Sequence, residues 1–289
     1  MKKFSTIIIM AIALVLGLAY CKKQETPDTP DADVNWVRIT MRVEGGGRNM
    51  DTLYPGSGAV VYKNGDIIYV GNSGKFRGKL EYQNGLFSGV VCDPEPTDYL
   101  HFYYLSGLTP VNALPDTLYD HKDTVVANYT IQFKINIADQ TGGLPVISCG
   151  HSTTKYINEK TAYTCMLENQ CGLVKFKLCP SPKENTPVTI SGMKTTATVI
   201  FDTLFVDNDT LCPPGIIPTN ETGVVTLHQL SGTDAAERWA ILLPQDSVPE
   251  ATLSYTMEND KDTTQTISLP AITPNSFYNV YHGIPVKSL

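Results

Sequence analysis

Short runs of strand-forming residues, separated by turn residues, recur along almost the whole chain. The runs are rich in Val, Ile, Tyr, Phe and Thr, and clusters of Gly, Asn, Pro and Asp separate them at intervals of about eight to fifteen residues. Strands favour β-branched and aromatic side chains, whereas turns favour residues that accept unusual backbone angles. No segment sustains a helical period beyond a turn or two. The pattern therefore predicts an all-β protein.

Two Asn-Gly pairs predict tight turns. Asn64-Gly65 and Asn84-Gly85 each stand between two strand-like runs. A two-residue hairpin turn needs positive φ at its central residues, which asparagine and glycine adopt at little cost. Residues 36–43 alternate polar and apolar side chains, as a strand with one buried face does.

A change in composition predicts two domains. Between residues 140 and 158, glycine and proline interrupt the strand series, and a second series of strand-like runs follows. Each sheet must bury one face against another layer. We therefore predict two tandem immunoglobulin-like β-sandwiches, at residues 34–155 and 156–289. A single large sandwich is the alternative.

Residues 1–20 predict a secretory signal peptide. Lys2 and Lys3 precede an apolar run at residues 7–18, which is too short to span a bilayer. Cys21 follows, and the segment resembles a bacterial lipobox, in which the cysteine receives a diacylglycerol. Because each buried methylene contributes about 0.8 kcal/mol, two or three acyl chains hold a protein stably on a membrane. The alternative is a soluble secreted protein with an incidental cysteine.

The segment after the signal peptide predicts a flexible tether. Residues 21–33 contain prolines and acids but no aromatic side chain, so burial cannot offset the entropy lost on ordering. The formal net charge of the chain is −7, and it becomes more negative when Lys2 and Lys3 are removed with the signal peptide. An acidic chain argues against nucleic acid as a partner.

The cysteines other than Cys21 leave two interpretations open. They are Cys92, Cys149, Cys165, Cys171, Cys179 and Cys212. An even number in an exported protein permits disulfides in several connectivities, and buried free thiols fit equally well. A zinc site is disfavoured because no Cys-x-x-Cys pair occurs.

Signatures of catalysis are missing from the sequence. It contains no Gly-x-Ser-x-Gly, no His-Glu-x-x-His and no P-loop. The histidines are scattered singly along the chain, at His101, His121, His151, His228 and His282. A lone histidine on a β surface is more often structural than a ligand. We therefore predict no catalytic residues, no cofactor and no metal site.

A series of short motifs follows one order along almost the whole predicted mature chain. The motifs lie at residues 64–70, 86–89, 101–104, 139–142, 167–169, 173–178, 188–192, 240–244 and 272–280. Each motif alone is strand and turn chemistry. In this order, and behind a lipoprotein signal, they resemble the fimbrillin-like lipoproteins of Bacteroidetes.

The resemblance implies a fold, a location and a mode of assembly. Pilus subunits of this family pair two transthyretin-like sandwiches and travel as lipoproteins, which implies the outer membrane, the cell surface and the fimbrium as locations. An arginine-specific protease removes an N-terminal strand, and a strand from a neighbouring subunit fills the groove. The implied partners are other fimbrial subunits, by strand donation or edge pairing, and a surface receptor.

Three arginines are candidate cut sites for such processing: Arg38, Arg42 and Arg48. Arg48 follows three consecutive glycines, which make an accessible loop, and a cut there would free residues 34–44. The alternative is that these arginines are solvent-facing positions of a first strand.

The C-terminal tail departs from the pattern of a polymerising subunit. Only residues 282–289 follow Tyr281, and Pro285 lacks a backbone donor in the middle of that tail. The tail is predicted to be too short to fill a neighbour's groove. An anchor, a tip or a stand-alone member therefore fits better than a shaft subunit.

Asp-Thr and Asp-Ser pairs before an apolar residue resemble the O-glycosylation acceptor of exported proteins in the same bacterial group. The predicted acceptors are Thr52, Thr117, Thr124, Thr203, Thr210 and Ser247. Asp-Thr is also common where a turn enters a strand, so part of this pattern has a structural explanation.

An alternative function is glycan binding by a surface lipoprotein of a polysaccharide-capture system. Such a protein needs a platform of coplanar exposed aromatic rings. Tyr103 and Tyr104 are adjacent, but adjacent strand residues point to opposite faces. Trp36 and Trp239 are predicted to be core residues.

Overall fold

A computed structural model describes residues 36–44, 62–110, 132–200, 206–207, 210–211, 215–281 and 284–288. Several sequence predictions lie outside these residues, namely the signal peptide, Cys21, the tether at residues 21–33, Arg48, and the acceptors Thr52, Thr117, Thr124 and Thr203.

The described residues form strands and turns and no helix, which confirms the predicted all-β class. The strands up to residue 169 are β1 (Trp36–Val43), β2 (Ile67–Asn72), β3 (Lys75–Gln83), β4 (Leu86–Cys92), β5 (Tyr99–Ser106), β6 (Thr109–Pro110), β7 (Gln132–Asn136), β8 (Val146–Lys155), β9 (Ala162–Cys165) and β10 (Glu168–Asn169). The described part accordingly has no helix that is long and apolar enough to cross a membrane.

The remaining strands follow Cys171. They are β11 (Gly172–Lys177), β12 (Thr189–Lys194), β13 (Thr196–Ile200), β14 (Val206–Asp207), β15 (Thr210–Leu211), β16 (Ile216–Pro218), β17 (Thr222–Thr226), β18 (Glu237–Leu242), β19 (Val248–Thr256), β20 (Asp262–Leu269), β21 (Ser276–Tyr281) and β22 (Ile284–Ser288). Residues 276–281, which form β21, are also a strand-like run in the sequence, Ser-Phe-Tyr-Asn-Val-Tyr.

The first sheet closes on itself. Its strand order is β10-β8-β5-β2-β3-β4-β1-β9, and β9 also pairs with β8 where Cys165 meets Ser152. Every second side chain of these strands points inward because of the pleat. The interior cluster consists of Ile39, Met41, Ile68, Val70, Leu80, Phe87, Val91, Leu100, Phe102, Tyr104, Val146, Tyr156, Tyr163, Cys165 and Leu167.

The two predicted Asn-Gly turns lie side by side at one end of this sheet. Asn84 and Gly85 have φ values of 51° and 93° and join β3 to β4, as predicted. Gly65 has a φ of 96°, and its turn leads into β2. The Asn84 amide donates to Oδ1 of Asn64 at 3.3 Å, so the two turns are hydrogen-bonded to each other.

Two four-stranded sheets face each other in the second half of the chain. Their orders are β18-β11-β21-β22 and β17-β12-β19-β20. Apolar side chains from both sheets fill the space between them, including Val174, Phe176, Ile190, Leu253 and Tyr278. A further sheet has the order β16-β13-β7-β6, and β14 pairs with β15.

A shared core joins the first sheet to the second half of the chain. Tyr69, Tyr103 and Ile147 come from the outer face of the closed sheet, and Trp239 and Ile241 come from β18. Strand β11 is therefore buried on both faces, because its alternate side chains enter the shared core and the second core. A strand buried on both faces carries a continuous apolar run. In β11 this run is Gly172-Leu173-Val174, and the half-buried Lys175 and Lys177 interrupt the apolar residues beyond it.

The region that predicted a domain boundary contains a strand. The sequence suggested an interruption at residues 140–158, but Val146–Lys155 forms the long strand β8. Gly150 is required there because a Cβ would lie 2.1 Å from the carbonyl oxygen of Met166. Strands β9 and β10 follow residue 156 and still complete the first sheet, whereas β7 pairs with β13. The boundary between residues 155 and 156 stays a prediction.

Gly150→Ala is expected to lower the free energy of unfolding by about 1–3 kcal/mol, because the added methyl meets backbone that cannot rotate away. Urea unfolding followed by far-UV circular dichroism measures the change. Gly142→Ala is the matched control, since nothing lies within 4 Å of a Cβ at Gly142, and we expect it to stay within about 0.5 kcal/mol of wild type. Equal effects of the two changes would contradict the close approach at Gly150.

Candidate functional site

Strand β1 occupies a slot between two strands that are distant from it in sequence. It pairs antiparallel with β4 and parallel with β9. The Thr40 amide donates to the carbonyl oxygen of Thr161 at 2.7 Å, and the Glu44 amide donates to that of Cys165 at 2.7 Å. The slot therefore holds β1 through its backbone on both edges, a mode of binding that requires little of the strand's own sequence.

Two side chains anchor β1 in the slot. Ile39 and Met41 are fully buried in the interior cluster, which also contains Phe87. Arg38 and Arg42 alternate with them and are exposed. Burying an aliphatic side chain of this size contributes about 1.5–3 kcal/mol. The slot thus selects a strand by an apolar pair spaced two residues apart and leaves the intervening positions free.

Two of the three predicted cut sites lie within strand β1. Arg38 and Arg42 belong to a strand that is paired on both edges, so a protease that binds an extended substrate would first have to remove β1 from the sheet. Their exposed side chains are those expected of solvent-facing positions in a first strand, the alternative given above. Arg48 lies outside the described residues, and processing at any of the three stays a prediction.

The predicted glycosylation acceptors are distributed over the chain. Ser247 is exposed immediately before β19, and Thr210 belongs to β15. The other acceptors lie outside the described residues. Glycosylation at these positions stays a prediction.

The two tryptophans lie in different environments. Trp239 is 1% exposed, as predicted, but Trp36 is 37% exposed, so its assignment to the core was wrong. The reason is the alternation of β1, because Trp36 has the same parity as Arg38 and Arg42 and therefore points away from the interior cluster. Val90, on the neighbouring strand β4, is exposed to the same extent.

The aromatic residues that the structure describes do not form a glycan platform. Tyr103 packs in the shared core and Tyr104 in the interior cluster, on opposite faces of β5. Among the aromatic residues that the structure describes, only Trp36 and Tyr281 are exposed. They belong to β1 and β21, which lie in different sheets. The alternative function of glycan binding therefore gains no support from the described surface.

Two histidines that are isolated in sequence face each other in the fold. His101 and His151 are partners across β5 and β8, and their ring centroids are 6.5 Å apart. His101 is 2% exposed, and neither of its ring nitrogens has a hydrogen-bond partner. Burial lowers the pKa of His101 to about 4, although Asp98 opposes this shift. The pair was not predicted, because nothing in the sequence specifies the register of β5 against β8.

The described cysteines are free thiols. Cys149, Cys165 and Cys171 are buried, Cys92 is half-buried and Cys179 is exposed. Burial raises the pKa of each of the three buried thiols, so they pack as small apolar side chains and are poor nucleophiles. Within the described ranges, His, Cys, Asp and Glu do not gather in groups of three or more that could hold a metal ion.

No family model matches the chain, and no curated protein sequence matches it. A candidate cell adhesion protein from Bacteroides uniformis superposes with a TM-score of 0.50 at 14% identity, covering 87% of this chain and 97% of that one. Another from Bacteroides ovatus gives 0.50 at 14% identity, with 89% and 96% covered. The chain has the fold of these two proteins.

This shared fold confirms the β-rich architecture that the resemblance to fimbrillin-like proteins implied, and the pair of sandwich domains stays a prediction. A C-terminally truncated tip fimbrial protein from Porphyromonas gingivalis is similar at a lower level, with a TM-score of 0.42 at 8% identity, covering 88% of this chain and 98% of that one. At such identities the likeness concerns the fold, and function has to be argued from the chain itself.

Proposed function

We propose that the chain is a fimbrillin-like cell-surface lipoprotein that acts in pilus assembly, anchoring or tip adhesion by exchange of strand β1. The observation that carries this proposal is the slot between β4 and β9. The slot holds its strand through backbone bonds on both edges and through two buried side chains, Ile39 and Met41. A strand from another subunit with the same alternation would satisfy the same groups.

The proposed anchor is the lipid on Cys21, with residues 21–33 as the tether that lifts the folded body from the outer membrane. Once a cut has separated β1 from the folded body and another strand has displaced it, the tether and lipid leave with β1. A member that is not cut therefore stays attached to the membrane, and a cut member is released when its β1 is displaced.

The C-terminal strand supports a role other than shaft subunit. Strand β22 pairs antiparallel with β21 at the edge of its sheet, and Pro285 lies opposite Val280. In this arrangement the tail completes its own sheet and is not free for donation.

The predicted pair of sandwich domains corresponds, in this proposal, to the closed first sheet and to the two facing sheets of the second half.

Among the three arginines we favour Arg48 as the cut site. A cut after Arg48 leaves the hydrogen bonds of β1 intact, so the strand stays bound until another strand displaces it. A cut after Arg38 would divide β1 directly before its two anchoring side chains, and a cut after Arg42 would divide it directly beyond them. Either of those cuts would leave a shorter strand with fewer backbone bonds in the slot.

The test combines proteolysis with strand rebinding. We expect an arginine-specific endoprotease to cut the tag-free mature chain after Arg48, as shown by intact mass, and Arg48→Lys to prevent the cut while Arg38→Lys and Arg42→Lys do not. A labelled peptide of residues 34–44 should bind the cut protein at least about tenfold better than the uncut protein, because the intramolecular strand competes at high effective concentration.

The matched control is the same peptide with Ile39→Asp and Met41→Asp, which keeps the backbone but places two charges in an apolar interior. It should not bind. Equal binding of the two peptides, or equal affinity of the unmodified peptide for the cut and the uncut protein, would contradict the strand-exchange proposal. Cleavage confined to Arg38 or Arg42 would overturn the choice of Arg48.

A further inference from the structure

The pair formed by His101 and His151 has ring nitrogens without a protein partner. Both nitrogens of His101 are buried and unpaired, which is rare because a buried polar group without a hydrogen bond is costly. His151 has its Nδ1 at 2.9 Å from the carbonyl oxygen of Ser152. Since a carbonyl only accepts, this contact assigns the proton to Nδ1 and leaves Nε2 with a free lone pair.

This arrangement is common among metal-binding histidines. A ligating imidazole usually donates its second ring N–H to a backbone carbonyl or a carboxylate, which fixes the ring and its tautomer. His151 already has that contact with Ser152. The ring of Tyr99 packs edge-on against His151, with centroids 5.3 Å apart, and holds it from the side.

We propose that His101 and His151 form a binding site for a divalent transition-metal ion of the kind that prefers imidazole ligands, such as Ni²⁺, Cu²⁺ or Zn²⁺. The two residues are the protein ligands, and solvent completes the coordination. The site lies on β5 and β8, in a different part of the first sheet from the slot of β1, so the proposal does not depend on strand exchange.

The distance between the rings fits this assignment after a small movement. Metal–nitrogen bonds of about 2.1 Å place two imidazole centroids about 5 Å apart in tetrahedral geometry. The ring centroids are 6.5 Å apart, so they must approach by about 1.5 Å, which rotation about the side-chain torsions of both histidines provides.

A nearby carboxylate compensates the charge of the ion without binding it. Asp98 acts electrostatically on His101. Its Oδ2 accepts from the amide and the hydroxyl of Ser73, at 2.9 and 2.7 Å, and its Oδ1 accepts from the Tyr99 amide at 2.7 Å. The carboxylate is therefore held in place beside the histidines, where its negative charge favours a bound cation.

The experiment is metal titration of the tag-free mature chain, read out by calorimetry and by the melting temperature. We expect one equivalent of Ni²⁺ or Zn²⁺ to bind and to raise the melting temperature as its concentration increases. Mg²⁺ should have no effect, because it prefers oxygen ligands. His151→Asn should weaken binding by at least about tenfold, since it removes one of two protein ligands.

Two further variants separate ligand loss from misfolding and from adventitious binding. His101→Phe replaces the buried ring by one of similar shape without nitrogens, so the protein should fold and yet lose the metal. His228→Asn is the matched control, because the Nδ1 of His228 is also within hydrogen-bond distance of a carbonyl oxygen, that of Thr141, at 3.2 Å. This variant should bind the metal as the wild type does. Absence of binding by the wild type up to about 1 mM metal, or binding unaffected by His151→Asn, would overturn the proposal.

Discussion

Replacing Trp239 by alanine is expected to lower the free energy of unfolding by about 3–5 kcal/mol. The indole is almost fully buried in the shared core and stacks on Phe277, with ring centroids 5.9 Å apart and planes 8° apart. Nζ of Lys175 lies 5.2 Å above it and pairs with Glu237 at 2.7 Å. Because this core joins the closed sheet to the second half of the chain, its loss destabilises both. Urea unfolding followed by far-UV circular dichroism gives the value.

Two variants test whether burial causes this loss. Trp36→Ala removes the same side chain from a site where it is partly exposed, and we expect a change below about 1 kcal/mol. Trp239→Phe keeps the aromatic ring and removes an indole N–H that is buried without a partner, so its cost should be well below that of alanine. If Trp36→Ala and Trp239→Ala were equally costly, the two tryptophans would not differ in burial as described.

Gln140→Leu is expected to cost about 3 kcal/mol, because it strips hydrogen bonds from buried backbone groups. Gln140 is fully buried. Its Nε2 donates to the carbonyl oxygens of Ile137, at 3.0 Å, and Ile241, at 2.8 Å, and its Oε1 accepts from the Ile241 amide at 2.9 Å. The side-chain amide thus pairs with Ile241 on the edge of β18 that faces away from β11, as a neighbouring strand would, and His228 pairs with Trp239 on the same edge. Leucine fills the volume but leaves these groups unpaired.

The control for this prediction is Gln83→Leu. Gln83 is exposed, and its Nε2 donates to a carboxylate oxygen of Glu81 at 3.2 Å. Water replaces that bond at no net loss, so we expect a change within about 0.5 kcal/mol. Hydrogen exchange supplies a second measurement, because the Ile241 amide should lose protection in Gln140→Leu and keep it in Gln83→Leu. Unchanged protection in Gln140→Leu would contradict the edge contact.

Local chemistry made much of the fold predictable. The strand at residues 36–43 and the turn at Asn84-Gly85 were correctly predicted because their signals are contained within a few adjacent residues. Motifs that resemble the fimbrillin-like pattern also meet in space. Val174 in β11 is opposite Ala240 in β18 on one side and Tyr278 in β21 on the other. The three motifs that contain these residues therefore form neighbouring strands of one sheet.

Features that depend on distant partners were not predictable. Gly150 suggested an interruption in the sequence, but its role is to let Met166 approach β8. The pairing of His101 with His151 depends on strand register, which includes an irregularity between Tyr99 and His101. The exposure of Trp36 could have been inferred, since the parity of Arg38 already assigned it to the outer face. Its aromatic character outweighed that signal in the sequence analysis.

The position of β1 has a mechanical consequence. Tension applied to the chain ahead of Trp36 acts along the axis of β1, at right angles to the hydrogen bonds of its antiparallel side. Bonds stretched in this way share the load in shear, whereas a strand peeled from one end loses them one after another. Such a load would strain the pairings of β1 with β4 and β9 together, so the strand would leave its slot only after both sets of bonds had yielded.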